Sequence, residues 1–250
     1  MSDPTPTPTA TSTATASASA AGSGFGSGPV RGAAVTGAGR SETLTATVDV
    51  AFPEFRTPPA EPMGLLAAWL QDAETHQVRE PRALALATAD AQGRTSSRIV
   101  ALTAAGEDGI VFITHADSRK GRDLAENPWA SGVLYWRESS RQITLEGPVT
   151  RLSDAEAQTL WQARPVFTHA MTTASRQSRP LEDLDHVARL RARAQHLGEP
   201  QRPLPRPARF AGYRLQPAGV EFWANGTDRL HERLRYERTG ATWRHSRLQP

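Results

Sequence analysis

The residues best suited to chemistry gather near the C-terminus. From Glu221 to Tyr236 the chain reads EFWANGTDRLHERLRY, with one Trp, one His and three Arg in sixteen residues. Two strand-like runs, residues 219–224 and 231–238, flank Asn225-Gly226-Thr227-Asp228. Asn-Gly favours a hairpin because both residues tolerate positive φ. Alternation along a strand then puts Arg229, His231, Arg233 and Arg235 on one face and Leu230, Glu232, Leu234 and Tyr236 on the other. An Arg/His row cannot be a dry core. It is either a solvated face, which strand composition alone favours, or the wall of an anion site. Trp223 just ahead of the turn tilts the balance towards a site, since an aromatic ring beside guanidinium groups suits a flat, negatively charged ligand.

A second chemical signal is a single residue. The chain has twenty-eight Arg and one Lys, Lys120. A compact ammonium kept among so many guanidinium groups marks a place where a planar fork does not serve, unless it survived by chance. Lys120 lies in Asp117-Ser118-Arg119-Lys120, where Asp117 or Ser118 is a plausible N-cap for a short helix that Pro128 ends. Helix N-termini attract phosphate, and cations in the first turn reverse the acidic preference there, which is reasonable for a helix that meets an anion. A third stretch, residues 168–179 (THAMTTASRQSR), is rich in hydroxyl groups, Gln and Arg; it reads as a loop or frayed helix that could line a polar site. Gln142 is polar at the start of an otherwise apolar strand.

The elements that must position these residues follow in order. Residues 63–76 carry Leu65, Leu66, Trp69 and Leu70 at helical spacing. Residues 83–89, 95–103 and 109–115 are strand-like and separated by the turns 90–93 and 105–108; residues 129–137 and 141–152 form another hairpin. Ser153 with Glu156 is a capping box opening a helix over 153–163, and an amphipathic helix covers 181–198. A Pro-rich connector spans 201–209, and a last strand spans 242–248. Closely spaced hairpins predict an antiparallel sheet closing into a barrel with flanking helices, a mainly β fold of the α+β class.

Composition bounds the rest. Residues 1–30 are almost entirely Thr, Ala, Ser, Pro and Gly, so residues 1–45 read as a disordered low-complexity tail and 46–250 as one domain. The tail has neither the basic start nor the apolar core of a secretory signal. With no cysteine, disulfides and thiolate chemistry are excluded, and the seven His show no metal-ligand spacing. No apolar run reaches the ~18 residues of a membrane span, so a soluble, cytoplasmic protein is expected. Walker, GxGxxG, HExxH and GxSxG motifs are missing. The net charge is only +3, with Arg interleaved among Asp and Glu, so a nucleic-acid partner is not expected.

Taken together, Arg98-Ile99-Val100, Ser118-Arg119-Lys120, Asn127-Pro128, Arg141-Gln142, Ser175-Arg176-Gln177-Ser178, Glu221-Phe222-Trp223 and Arg229-Leu230-His231-Glu232-Arg233 resemble the pyridoxamine 5′-phosphate oxidase family of FMN split barrels. The match runs in order through nearly all of residues 64–250, and several segments look closest to the branch that acts in phenazine biosynthesis. The resemblance implies a homodimer with FMN at the subunit interface. It places flavin contacts at Arg98, Ile99, Val100, Ala101, Ile113, Thr114, Arg119, Lys120, Gln142, Gln177, Ser178, Trp223 and Arg233. Substrate contacts fall on Thr103, Leu160, Arg164, Thr168, Arg229 and His231, with Arg229 and His231 as the catalytic pair. Thr103 stands where the family pattern has Lys, and Leu160 where it has Tyr; both normally hold the substrate's phosphate. Their loss should cost a phosphate ester several kcal/mol, at ~1.5–3 kcal/mol per charge-assisted hydrogen bond. The expectation is therefore an FMN-dependent oxidase that passes electrons from a partly reduced phenazine carboxylate to O₂, yielding H₂O₂. The alternatives are oxidation of pyridoxine or pyridoxamine 5′-phosphate, and a flavin-binding protein without oxidase turnover.

Overall fold

In the computed structural model the described residues are 48, 50–225 and 230–250. The tail expected over 1–45 lies outside them, as do Gly226, Thr227, Asp228 and Arg229 of the C-terminal turn. Nine strands make the sheet: β1 (Ala83–Ala89), β2 (Thr95–Gly106), β3 (Gly109–His115), β4 (Trp129–Trp136), β5 (Arg141–Arg151), β6 (Phe210–Leu215), β7 (Gly219–Ala224), β8 (Glu232–Thr239) and β9 (Thr242–Leu248). The helices are α1 (Pro62–Thr75), α2 (Arg119–Glu126), α3 (Asp154–Ala163), α4 (Phe167–Ala174) and α5 (Leu184–Gly198).

All pairings are antiparallel. Strands β1-β2-β3-β6-β5-β4 follow one another, and β4 pairs back onto β1, closing a six-stranded barrel. Strand β5 is long enough to serve two neighbours on one side. Its end, Val149–Arg151, pairs with β6, while its first half pairs with β7 and so starts the extension β7-β8-β9. Period-2 alternation sends Leu84, Leu86, Leu134, Ile143, Leu145, Phe112 and Tyr213 inward. Helix α1 covers one side of this core with the stripe the sequence predicts: Leu65, Leu66, Trp69 and Leu70 are buried, and Trp69 meets Phe52 and Phe222 edge-on at 4.8 and 5.2 Å.

Three readings need correction and one, the loop or frayed helix over 168–179, is narrowed. Strand β6 was not anticipated. Its sequence, FAGYRL, is buried on both faces, so it shows no alternation. A Cβ at Gly212 would sit 2.8 Å from Leu160 Cδ1 and 2.9 Å from Leu152 Cδ1, so the glycine lets α3 lie close on the strand. Strand β2 runs past Thr103 to Gly106, with a register shift between Leu102 and Ala104. The 168–179 stretch begins as a real helix, α4. Ala170 and Ala174 pack it on Ala194 of α5, and the Arg209 guanidinium donates to the Thr172 and Thr173 carbonyls at its C-terminal end. Helix α5 starts at Leu184, capped by Asp183, rather than at 181.

Candidate cofactor and substrate site

The first cluster lies where β2, β3 and α2 meet. Ser118 caps α2, its hydroxyl accepting from the Gly121 N–H at 3.3 Å, so Arg119 and Lys120 occupy the first turn as expected. Lys120 Nζ donates to Thr114 Oγ1 at 2.9 Å. Thr114 in turn donates to Gln177 Oε1 at 2.9 Å, which ties the loop after α4 to the end of β3. Ser178 next to it holds φ at 63°, a strained conformation for a residue with a side chain. Arg98 shares the inward face of β2 with Val100 and Leu102; its Nη1 donates to Thr88 Oγ1 at 2.8 Å and Leu86 O at 3.2 Å, and its Nη2 to Ser96 Oγ. Buried Asp123 accepts from Thr88 at 2.6 Å and Ser96 at 3.2 Å and lies 3.9 Å from Arg98.

The electrostatics of this cluster are lopsided. Burial lowers the pKa of Arg98, and Arg119 lowers it further against the opposing pull of Asp123. Burial likewise lowers Lys120, with Arg98 adding to the shift. Three cations thus face one carboxylate, beside a helix N-terminus and the Thr114 and Ser118 hydroxyls. This donor set fits a phosphate monoester. The remaining predicted contacts on these strands divide by face: Val100 and Ile113 are half-buried, whereas Ile99, Ala101 and Thr103 point outward from β2 and are exposed.

The second cluster is a cross-strand row on the outer face of β5, β7 and β8. Gln142 pairs with Trp223, and Trp223 with Arg233. Arg233 Nε donates to Glu221 Oε1 at 2.7 Å and Nη1 to Gln249 O at 3.0 Å; the carboxylate raises the Arg233 pKa. His231 lies just ahead of β8, its ring 4.9 Å from that of Trp223, with Nδ1 buried and unpartnered. Leu234 and Tyr236 are buried on the opposite face, as alternation requires. Arg229, the other residue expected to be catalytic, lies outside the described residues.

The third cluster joins α3 to α4. Arg164 Nε donates to Thr168 Oγ1 at 3.1 Å and Nη2 to Thr172 Oγ1 at 3.3 Å, with Trp161 and Phe210 rings 5.9 and 5.6 Å from its guanidinium carbon. Burial lowers the Arg164 pKa. Leu160, one turn earlier, packs on Gly212. His115 links this cluster to the first. Its Nδ1 accepts from the Gln177 N–H at 3.5 Å, and its pKa falls to about 4 through burial first and then the positive charge of Arg209, Lys120 and Arg164, against Asp117.

The predicted residues therefore assemble as separate groups. Among the described residues no hydrogen bond or ion pair joins Arg98, Lys120 or Gln177 to Gln142, Trp223 or Arg233, and β6 and β5 lie between β3 and β7 in the sheet. Sequence reasoning missed Thr88, Ser96, Asp123, His115 and Glu221. Asp123 was within reach, because helical spacing puts it on the side of α2 that carries Arg119 and Lys120. Glu221 shares a strand face with Trp223, but its pairing with Arg233 appears only once the β7–β8 register is known.

Two family profiles match the chain: pyridoxamine 5′-phosphate oxidase over residues 70–224, and the pyridoxine 5′-phosphate oxidase C-terminal dimerisation region over residues 210–250. The chain is 52% identical over 221 residues to the dihydrophenazinedicarboxylate synthase of Pseudomonas chlororaphis, covering 88% of this chain and 98% of that protein. It is 41% identical over 192 residues to the pyridoxine/pyridoxamine 5′-phosphate oxidase of Gluconobacter oxydans, covering 76% and 95%. The crystal structure of PhzG from Burkholderia lata 383 in complex with tetrahydrophenazine-1-carboxylic acid superposes with a TM-score of 0.78 at 51% identity, covering 82% of this chain and all of that one. The similarity runs along almost the whole described chain, which includes the barrel, the Arg119-Lys120 helix start and the Trp223–Arg233 row, and the protein belongs to the pyridoxamine 5′-phosphate oxidase family.

Proposed function

We propose that this protein is an FMN-dependent oxidase of phenazine biosynthesis, which removes two hydrogens at a time from a partly reduced phenazine carboxylate and delivers them to O₂ as H₂O₂. The observation that carries the reading is a combination. The cationic cluster Arg98, Arg119 and Lys120 suits the phosphate of FMN, while Thr103 and Leu160 leave the substrate side without the ammonium and phenol expected for a phosphorylated substrate. Both the 52% relative and the Burkholderia lata complex bear names from phenazine chemistry.

FMN, when bound, supplies the two-electron acceptor that O₂ recharges. The protein's own groups then bind and orient. Lys120, Arg119 and Arg98 hold the phosphate, and Gln142, Trp223 and Arg233 hold the ring system and its polar edge. Arg164 and Arg229 pair with substrate carboxylates; Arg164 is pre-set for this by its bonds to Thr168 and Thr172. His231, with Nδ1 buried and unpartnered, orients the substrate or carries its proton. Loss of hydrogen from a partly saturated tricycle gains aromaticity, so orientation matters more than a strong base.

The match to a C-terminal dimerisation region and the separation of the half-sites support a homodimer. The outward face of β4, β1 and β2 carries exposed Trp129, Tyr135 and Ile99 around half-buried Ala83, Ala85 and Ala87, an apolar strip suited to a second copy. In such a dimer the β2/β3/α2 cluster of one subunit meets the Gln142–Trp223–Arg233 row of the other.

The test is an anaerobic titration of the flavin-loaded protein with tetrahydrophenazine-1-carboxylic acid. The oxidised-flavin absorption should bleach, return on admitting air, and release one H₂O₂ per turnover. Bleaching by pyridoxine 5′-phosphate alone would instead favour the vitamin-forming reading, which the retained Arg164–Thr168 pair also fits. Failure to take up FMN would overturn both.

A further inference from the structure

Three rows cross the outer face of β5, β7 and β8: Gln142–Trp223–Arg233, Thr144–Glu221–Arg235 and Glu146–Gly219–Glu237. By register Glu221 lies beside Arg235, and the shortest ion pair would join those two. The structure has a different pairing. Arg235 passes diagonally over β7 and bonds Glu146 on β5, while Glu221 turns to Arg233 Nε at 2.7 Å. Gly219 leaves open space beneath the crossing. A Cβ at that position would meet Glu146 Oε1 and Arg235 Nη2, the flexible ends of the two side chains, so the bare backbone lets the Arg235–Glu146 pair lie close on β7 without shifting.

The consequence concerns Arg233. With Arg235 satisfied by Glu146, the Glu221 carboxylate, whose side chain is only 11% exposed, is left to hold Arg233. Nε is fixed by Glu221 and Nη1 by the Gln249 carbonyl, so Nη2 is the one guanidinium nitrogen without an acceptor among the described residues. It belongs to the row that also carries Trp223 and Gln142. We infer that Glu221 is a positioning residue: it sets the direction and the net charge of Arg233 towards the flavin, and Gly219, Glu146 and Arg235 keep Glu221 from being diverted. This inference rests on the reading of Arg233 as a flavin contact. An unpaired guanidinium beside the flavin would favour its reduced, more negative form. The paired one is partly neutralised, which keeps the potential low and the electrons available to O₂.

The experiment uses Glu221→Gln, which keeps shape and removes charge, and Glu146→Ala, which removes the partner of Arg235 and makes Arg235 compete for Glu221. In each holoenzyme variant the FMN dissociation constant, the flavin midpoint potential and the Tm are measured. Labelling of Arg233 by a dicarbonyl reagent, followed by peptide mass spectrometry, is measured on the flavin-free protein. The expected result is an FMN dissociation constant roughly tenfold higher in both variants, the scale of one charge-assisted hydrogen bond. The flavin potential should rise and Arg233 labelling should quicken. Unchanged potential and unchanged labelling in Glu221→Gln would overturn the inference, whatever happens to Tm. If the wild-type protein takes up no FMN, the functional reading fails separately, and Arg233 labelling still decides whether Glu221 governs that guanidinium.

Discussion

Lys120 Nζ donates to Thr114 Oγ1 at 2.9 Å, so the only Lys in the chain is anchored to the strand that faces its helix N-terminus. This bond fixes an ammonium whose charge burial disfavours and which lies near Arg98. Such a group gains most from an anion. Lys120→Met should weaken FMN binding about 10- to 100-fold, the range of one charge-assisted hydrogen bond of ~1.5–3 kcal/mol, and leave riboflavin, which has no phosphate, within about threefold of wild type. Fluorescence-quenching titrations with the two flavins make the comparison. Equal losses for both would remove Lys120 from the phosphate site.

That the lone Lys was legible from composition, while its surroundings were not, marks how far the sequence reaches. Residue type and spacing exposed Arg119-Lys120, the alternating faces of β8 and the capping box at Ser153, because each is a local pattern. Strand β6 escaped because burial on both faces erases alternation. Asp123 beneath Arg98 and Glu221 beside Arg233 escaped because they are joined to their partners by tertiary packing and strand register, with no signature inside any one segment. The 168–179 stretch reads as either a loop or a frayed helix for a related reason: its Thr-rich sequence is a weak helix former, and its stability comes from α5 and from Arg209, distant in sequence.

His115 is 1% exposed, and its pKa falls to about 4 because burial and the neighbouring cations Arg209, Lys120 and Arg164 disfavour the imidazolium. The unfolded chain would take up a proton near pH 6.5, its ordinary value. Between these values the unfolded state binds more protons, so stability from this group is fully present above about pH 6.5 and is lost as pH falls towards 4. The full loss is on the order of 3 kcal/mol. His115→Asn, which does not titrate in this window, should flatten the acid limb of a urea-unfolding series between pH 7 and 4.5. A variant with the same slope as wild type would place the acid sensitivity elsewhere.

Arg141 is buried against α1, with its guanidinium 4.2 Å from the Trp69 ring, Nη1 3.2 Å from Asp72 Oδ2 and Nη2 on the Ala51 carbonyl. Asp72 is half exposed, so water can replace its partner after truncation. The Ala51 carbonyl and the Trp69 face lose theirs. Arg141→Ala should therefore destabilise the protein by about 3 kcal/mol, combining a lost cation–π contact, an unsatisfied acceptor and lost packing. Thermal unfolding should drop by roughly 5–10 °C for a domain of this size. Arg141→Met, which refills the space without charge, should recover part of the loss, since a buried ion pair stabilises less than its removal costs. Equal stability of the Ala variant and wild type would show that desolvation of Arg141 cancels everything it gains.

The strongest test of substrate choice reverses the two departures from the family pattern. Thr103 is exposed on the outward face of β2 in the single subunit, so Thr103→Lys puts no cation into the barrel core and should leave Tm within about 1 °C. Leu160 packs on Gly212 at the α3–β6 contact, and a Tyr there extends its hydroxyl beyond the space the Leu fills. Either change alone restores one of two groups to a phosphate clamp, and Arg164 already stands beside Thr168 to complete it. The double variant should therefore lower KM for pyridoxine 5′-phosphate by more than tenfold, the scale of one to two charge-assisted hydrogen bonds. Each single variant should achieve less. Turnover of the phenazine carboxylate should fall as the added polar groups enter space that a flat apolar ring would otherwise occupy. The decisive comparison is KM for the two substrates in the FMN-loaded double variant. A folded, flavin-loaded double variant with both KM values unchanged would mean that Thr103 and Leu160 do not face the substrate, and the specificity argument would have to move to Arg164, Arg229 and His231.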